Sequence, residues 1–189
     1  MKGLTLANQI TIGRIVVVPF FIVAVLYYSP ESDYLRFVAL GLFLFAGISD
    51  LADGYIARRW QQKTQVGAFL DPLADKILLM SAFFCLYLMN GYFPAVRFPI
   101  WLVVAVISLD VILLIGTAVI QLLYRNFEIQ PTFWGKANTF VQVLCVIGFL
   151  LQLSISHYLW YITLILICVA GIDYIREGIK VLNNPPKST

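Results

Sequence analysis

The chain has 189 residues and carries 13 Lys and Arg against 10 Asp and Glu, a formal net charge of +3. Hydrophobic residues make up 61% and charged residues 12%, about half the charged share of a soluble domain, which excludes an ordinary soluble enzyme and a nucleic-acid-binding protein. At roughly 20 apolar residues per crossing, this length holds six membrane spans with short connections and no soluble domain.

The first apolar run, about 4–28, has no small-residue cleavage site after a short core and reads as a retained span, not a removed signal peptide. Five more runs follow at about 35–57, 68–90, 98–124, 137–155 and 157–175, separated by short polar or Pro- and Gly-containing stretches. Uninterrupted runs of this length suit helices, because backbone polar groups in lipid need internal partners, and the alternating pattern of a membrane β-barrel is absent. The expectation is an all-α integral membrane bundle of six transmembrane helices, forming one domain over 1–189.

Placing the N terminus in the cytoplasm puts Lys2, Arg58, Arg59, Lys63, Arg125, Lys136, Arg176, Lys180 and Lys187 on that side, leaving Arg36 and Arg97 outside and Arg14 and Lys76 within spans. Cytoplasmic loops retain basic residues, so both termini are expected inside. His157 falls in the last outer loop and reads as an interfacial polar residue. Cys85, Cys145 and Cys168 each sit among apolar residues without CxxC spacing, and read as packing residues.

Charge inside the apolar runs is where function is expected, because an ionised carboxylate at bilayer depth is costly unless paired, metal-bound or facing water. Four of the ten acids fall within 26 residues: Asp50 and Asp53 at the end of the second run, Asp71 and Asp75 at the start of the third. Spacings of i, i+3 and i, i+4 keep each pair on one helix face, and the short linker from Arg58 to Val66 makes the two helices antiparallel neighbours. Four converging carboxylates repel one another, and divalent cations resolve the repulsion. An all-oxygen ligand set without Cys or His favours Mg²⁺ or Mn²⁺, and a pair of such ions is a common device in phosphorus chemistry. Gly54 and Gly67 lack a Cβ, so a nucleotide or diphosphate could approach the backbone there. Pro72 is expected in the first turn of the third helix, where its missing N–H does no harm. Two other readings compete: salt bridges with Arg58, Arg59, Lys63 and Lys76, and a divalent-cation transporter. A transporter would normally carry its acids near the midplane of an internal repeat, and no repeat is visible.

The string Asp50-Leu-Ala-Asp53-Gly54-Tyr-Ile-Ala57-Arg58, eight residues, then Gly67-Ala-Phe-Leu-Asp71-Pro-Leu-Ala-Asp75 resembles the signature of the CDP-alcohol phosphatidyltransferases, D-x-x-D-G-x-x-A-R, eight residues, G-x-x-x-D-x-x-x-D. All eight defining positions match. The resemblance implies that Asp50, Asp53, Asp71 and Asp75 hold two divalent ions, Mg²⁺ or Mn²⁺, and that Asp75 also takes the proton of the acceptor hydroxyl. It implies that Gly54, Ala57 and Gly67 cradle cytidine and that Arg58 supports the diphosphate. Asn8, Thr11 and Arg14, at every third position of the first helix, resemble the family's Asn-x-x-Thr-x-x-Arg run and join the CDP-binding set. The implied substrates are CDP-diacylglycerol and a glycerol-type alcohol, with CMP released. The implied protein is a homodimer among membrane lipids, in a bacterial-type inner membrane with its active site on the cytoplasmic side.

For the acceptor, Asp110 in mid-span, Arg125, Lys136 and Arg176 are the candidate contacts. Asp110 also reads as half of a buried ion pair with Arg14, Lys76 or a metal-site neighbour, and Lys136 and Asn138 open the fifth helix on the cytoplasmic side. Pro72 and Lys76 resemble the branch with glycerol acceptors, the phosphatidylglycerophosphate synthases and cardiolipin synthases. Relatives in both groups generally have Arg just before the acid at 110, where this chain has Leu109. A phosphate monoester is best held by a bidentate Arg. Its absence, with the Asp110 and Pro131 stretches, favours phosphatidylglycerol as acceptor over glycerol 3-phosphate.

Overall fold

The computed structural model describes the backbone of residues 6–60, 65–123 and 132–183, and the side chains of 13, 15–49, 73–116, 119 and 132–180. Six α-helices follow one another: α1 Leu6–Leu26, α2 Tyr34–Trp60, α3 Gln65–Leu88, α4 Ile100–Leu123, α5 Phe133–Leu150 and α6 Ser156–Asn183. Among the described residues there is no strand, as expected. Two helical stretches, Phe133–Leu150 and Ser156–Lys180, are long and apolar enough to cross a membrane. Three shorter apolar stretches, Ile15–Leu26, Tyr34–Ser49 and Ile100–Gly116, stop where side chains leave the described set. Span-like length and composition therefore hold for two helices, where six transmembrane helices were expected.

The chain forms two compact units, 1–98 with 150–152 and 99–149 with 153–189. In the first, α1 packs against both α2 and α3. Val18, Phe21 and Val25 recur at helical spacing on its buried face, and Phe21 meets Phe43 of α2 with ring centroids 5.9 Å apart. Buried Ala39, Ala46, Ala74 and Ala82 keep the helix surfaces narrow, as close helix approach requires. The opposite face of α1 exposes Val16, Phe20, Val23 and Leu26, so the stretch of this helix from Ile15 to Leu26 is apolar all round.

The loop after α3 is pinned by side chains that serve as backbone partners. Asn90 Nδ2 donates to the Phe98 carbonyl at 2.8 Å and its Oδ1 accepts from the Phe98 N–H at 2.9 Å. Gln152 Oε1 accepts from the N–H groups of Ala95 and Val96 at 3.0 and 2.9 Å. Phe98 stacks on Phe83 and Tyr28 on Phe93, which seals the loop over the unit's core.

In the second unit α4 and α6 pack by matching small residues to large ones. A Cβ on Gly116 would lie 3.1 Å from the ring of Tyr174, whose hydroxyl donates to the Leu113 carbonyl at 3.3 Å. Two turns earlier on α4, Leu109 lies 3.4 Å from the Cβ position of Gly171. A Cβ on Gly148 of α5 would meet Ser156 Oγ of α6 at 2.5 Å, so any side chain there requires that hydroxyl to turn away.

Four helix bounds differ from the sequence reading in ways that matter here. α5 ends at Leu150, not near 155, because Gln152 turns left-handed with φ 55° and the Leu153 N–H returns to the Gly148 carbonyl at 2.9 Å. This is a Schellman stop in which glutamine takes the position glycine usually fills. α6 runs to Asn183, eight residues past the apolar run, through polar turns that include the Lys180–Glu177 pair at 2.6 Å. α6 also starts at Ser156, which places His157 in its first turn and not in a loop. α3 begins at Gln65, so Pro72 is its eighth residue and lies well inside the helix. Its missing N–H therefore removes a hydrogen bond to the residue four before it, which a first-turn proline would not do.

Candidate active site

Asp50 and Asp53 occupy the last three turns of α2, and Asp71 and Asp75 the first three turns of α3. At 3.6 residues per turn, their spacings hold each pair within about 60° of a common face of its own helix. The side chains of Asp50, Asp53 and Asp71 lie outside the described residues, as do those of Gly54, Ala57, Arg58, Gly67, Asn8, Thr11 and Arg14, although all ten positions are helical. Arg125 lies outside them altogether. Asp75 is described. It is half-buried, directly after the buried Ala74 and one turn before the buried Leu78 and Leu79. A carboxylate there is sheltered by packed helix on one side and open on the other.

The donor set fits hard divalent cations: four carboxylates at the end of α2 and the start of α3, with no Cys or His between Asp50 and Asp75. Among the described residues no group of three His, Cys, Asp or Glu gathers to hold a metal, so a metal centre in this chain would draw on residues outside that set.

The four candidate acceptor contacts separate. Asp110, near the middle of α4, is fully buried. Lys136, in the first turn of α5, and Arg176, in the last third of α6, are both exposed. Lys136 and Asn138, read together from the sequence, point apart: two residues on a helix are about 200° of rotation, and Asn138 is buried to 1% exposure while Lys136 faces out. The inward face of α5 continues to Gln142, at 0% exposure. Sequence reasoning missed Gln142, although its signal was present as the i, i+4, i+7 recurrence of Asn138, Gln142 and Cys145 on one face. Leu109 is likewise more than a missing arginine. It is the buried side chain that fills the space over Gly171.

The sequence profile of the CDP-alcohol phosphatidyltransferases matches residues 4–170. The chain belongs to that family. It is 32% identical over 181 residues to a probable phosphatidylglycerophosphate synthase of Mycobacterium tuberculosis, covering 93% of this chain and 82% of the relative. To the CDP-diacylglycerol–glycerol-3-phosphate 3-phosphatidyltransferase of Haemophilus influenzae it is 33% identical, covering 92% and 89%. A probable CMP-forming cardiolipin synthase of Drosophila melanogaster is 32% identical, covering 92% of this chain and 58% of the fly protein. The chain is therefore a phosphatidyltransferase of this family, and its relatives include both phosphatidylglycerophosphate synthases and cardiolipin synthases.

Proposed function

We propose that this phosphatidyltransferase moves the phosphatidyl group of CDP-diacylglycerol onto a hydroxyl of phosphatidylglycerol, releasing CMP and forming cardiolipin. The single observation that carries the transfer is the set of eight signature residues from Asp50 to Asp75, placed on the ends of two consecutive helices. Asp50, Asp53, Asp71 and Asp75 would hold two Mg²⁺ or Mn²⁺ ions, which when bound neutralise the diphosphate and make its phosphorus more electrophilic. Arg58 supports the diphosphate with Asn8, Thr11 and Arg14, and Gly54, Ala57 and Gly67 leave room for cytidine. Asp75 takes the proton as the acceptor oxygen bonds to the lipid-bearing phosphorus, and the bond from that phosphorus to the CMP oxygen breaks. Asp110, Arg125, Lys136 and Arg176 are proposed acceptor contacts.

In this reading all six helices cross the membrane as a single domain, both termini and the reaction centre are cytoplasmic, and two copies form a dimer. The exposed apolar side chains Phe20, Phe45, Phe84, Ile112, Phe140 and Ile165, spread over all six helices, support a lipid surrounding. The lean to phosphatidylglycerol rests on Leu109. A buried aliphatic contact with α6 offers a phosphate monoester no bidentate partner. Glycerol 3-phosphate is the second reading, favoured by the bacterial relatives named for that acceptor. Labelled CDP-diacylglycerol supplied with each acceptor in turn distinguishes them. Cardiolipin is the expected product, and phosphatidylglycerophosphate as the sole product would reverse the assignment.

A further inference from the structure

Helices α4 and α6 run parallel and in register. Their contacts join residues about 60 positions apart at each level, from Trp101 with Tyr161 through Leu109 with Gly171 to Gly116 with Tyr174. Trp101 is the second residue of α4, and Tyr158 and Tyr161 lie in the first two turns of α6, so three amphipathic rings collect at one end of the pair. The Trp101 and Tyr161 ring centroids are 5.9 Å apart. All three rings are exposed, at 39%, 71% and 62% for Trp101, Tyr158 and Tyr161. Past them the large exposed side chains are aliphatic on both helices: Val104, Ile112 and Ile115 on α4, Ile165 and Ile172 on α6. Towards the far end of α6 the exposed set gains cations, Arg176 and Lys180. At 1.5 Å per residue, the band between rings and cations measures about 22 Å from Tyr161 to Arg176 and about 33 Å from Tyr158 to Lys180. These lengths bracket the hydrocarbon core of a bilayer, roughly 30 Å thick.

We propose that Trp101, Tyr158 and Tyr161 form an anchor that sits in the headgroup layer of a phospholipid bilayer and holds α4 and α6 across it as one in-register pair. This rests on the reading of the chain as a bilayer-embedded transferase. It adds α4, whose described apolar stretch Ile100–Gly116 falls short of a span on its own. Each ring has an apolar body and one polar tip, an indole N–H or a phenol hydroxyl. The headgroup layer supplies both surroundings within the width of a ring: acyl carbon on one side, phosphate and ester oxygens on the other. In water the ring bodies would stay hydrated, and in the hydrocarbon core the tips would lack partners. The cations suit the opposite headgroup layer, where their aliphatic stems lie along the band and their charges reach phosphate. The same register carries Asp110 about 14 Å along α4 from Trp101, close to mid-depth. There α4 turns the carboxyl into the protein, at 0% exposure.

The test uses the full-length protein in liposomes of phosphatidylcholine and phosphatidylglycerol, with Trp60→Phe, Trp134→Phe and Trp160→Phe so that Trp101 is the only tryptophan. Lipids carrying a nitroxide at the headgroup or near the end of the acyl chain serve as quenchers. A second protein combines Ile112→Trp with Trp101→Phe on the same background and reports the mid-depth position. Headgroup-labelled lipid should quench Trp101 at least about twofold more than chain-labelled lipid, and the order should reverse for the Ile112→Trp protein. A nitroxide attached at Tyr158→Cys in a Cys168→Ala background measures depth independently, through its relative accessibility to oxygen and to a water-soluble nickel complex. It leaves the tryptophans in place, so it decides the question where the Phe variants fold poorly, and it should report headgroup depth. Quenching of Trp101 by aqueous iodide and by neither lipid overturns the anchor, as does stronger quenching by the chain-labelled lipid. Shielding of Trp101 from all three quenchers overturns it in favour of a protein surface seated on this end. In each case lipid quenching of the Ile112→Trp protein leaves the bilayer reading standing. No lipid quenching at either position overturns the bilayer reading, and the anchor with it.

Discussion

The loop after α3 and the inner face of α5 both place amide side chains inside the protein, and they treat them in opposite ways. Asn90 and Gln152 have their oxygens and nitrogens matched to backbone groups of the loop, whereas Gln142 is enclosed with both polar atoms open. A satisfied amide is part of the architecture, since it stands in for secondary structure where the chain has none. An unsatisfied one weakens the fold, because a buried polar group without a partner carries its full desolvation cost. The same division separates the apolar core of α1, α2 and α3 from the aspartates carried on the far ends of α2 and α3.

Substitutions break this comparison in a definite order. The largest effect belongs to Asp75→Asn, which should lower turnover by about a thousandfold or more, in keeping with loss of a general base, while CDP-lipid binding and Tm stay close to wild type. Asp71→Asn should also weaken metal-dependent CDP-lipid binding, measurable by titration with and without a chelator. An Asp75→Asn variant that turns over normally would remove the proton-transfer role.

Gly148→Leu comes next and acts on folding alone. Its side chain must occupy space held by Ser156 Oγ, 2.5 Å from the Cβ position, so a loss of about 3 kcal/mol or more is expected in detergent unfolding. Gln152→Ala should cost about 2 kcal/mol by leaving the Ala95 and Val96 N–H groups without their acceptor, with kcat and both KM values unchanged. Equal damage to activity would show that the loop is not merely architectural. Lys180→Gln is the smallest, below about 0.5 kcal/mol, because its pair with Glu177 is exposed to water. Topology is independent of this order. A cysteine in the Arg58–Val66 linker and another beside His157 should label from opposite sides of the membrane, and labelling from one side would refute the arrangement with both termini inside.

Much of this was legible in the sequence because it depends on local pattern. Apolar runs of fixed length marked the six helices, and eight spaced residues marked the family. What stayed hidden depends on backbone geometry or on a second helix. Pro72 looked like a first-turn residue because α3 starts at Gln65, at the end of a polar linker and before the apolar run. The end of α5 is set by a glutamine in a left-handed turn, where the expected signal is glycine. α6 outruns its apolar pattern because helical backbone persists after the side chains become polar. Leu109 was read as an absence, and the contact it makes with Gly171 exists only once α4 and α6 are side by side. Gln142 passed as one polar residue in an apolar run until its burial and its open amide were visible together.

The central claim is that a carboxylate site on α2 and α3 carries out metal-dependent phosphatidyl transfer. It is tested most directly by following CMP and lipid product together in purified protein, first after removal of divalent ions and then after Mg²⁺ or Mn²⁺ is restored. The account predicts no product without metal, and on restoration one CMP for each phospholipid formed, abolished in each of Asp50→Asn, Asp53→Asn, Asp71→Asn and Asp75→Asn. Transfer that continues undiminished in the chelated protein would contradict it, as would a protein that forms no CMP with any acceptor yet carries a divalent ion into liposomes.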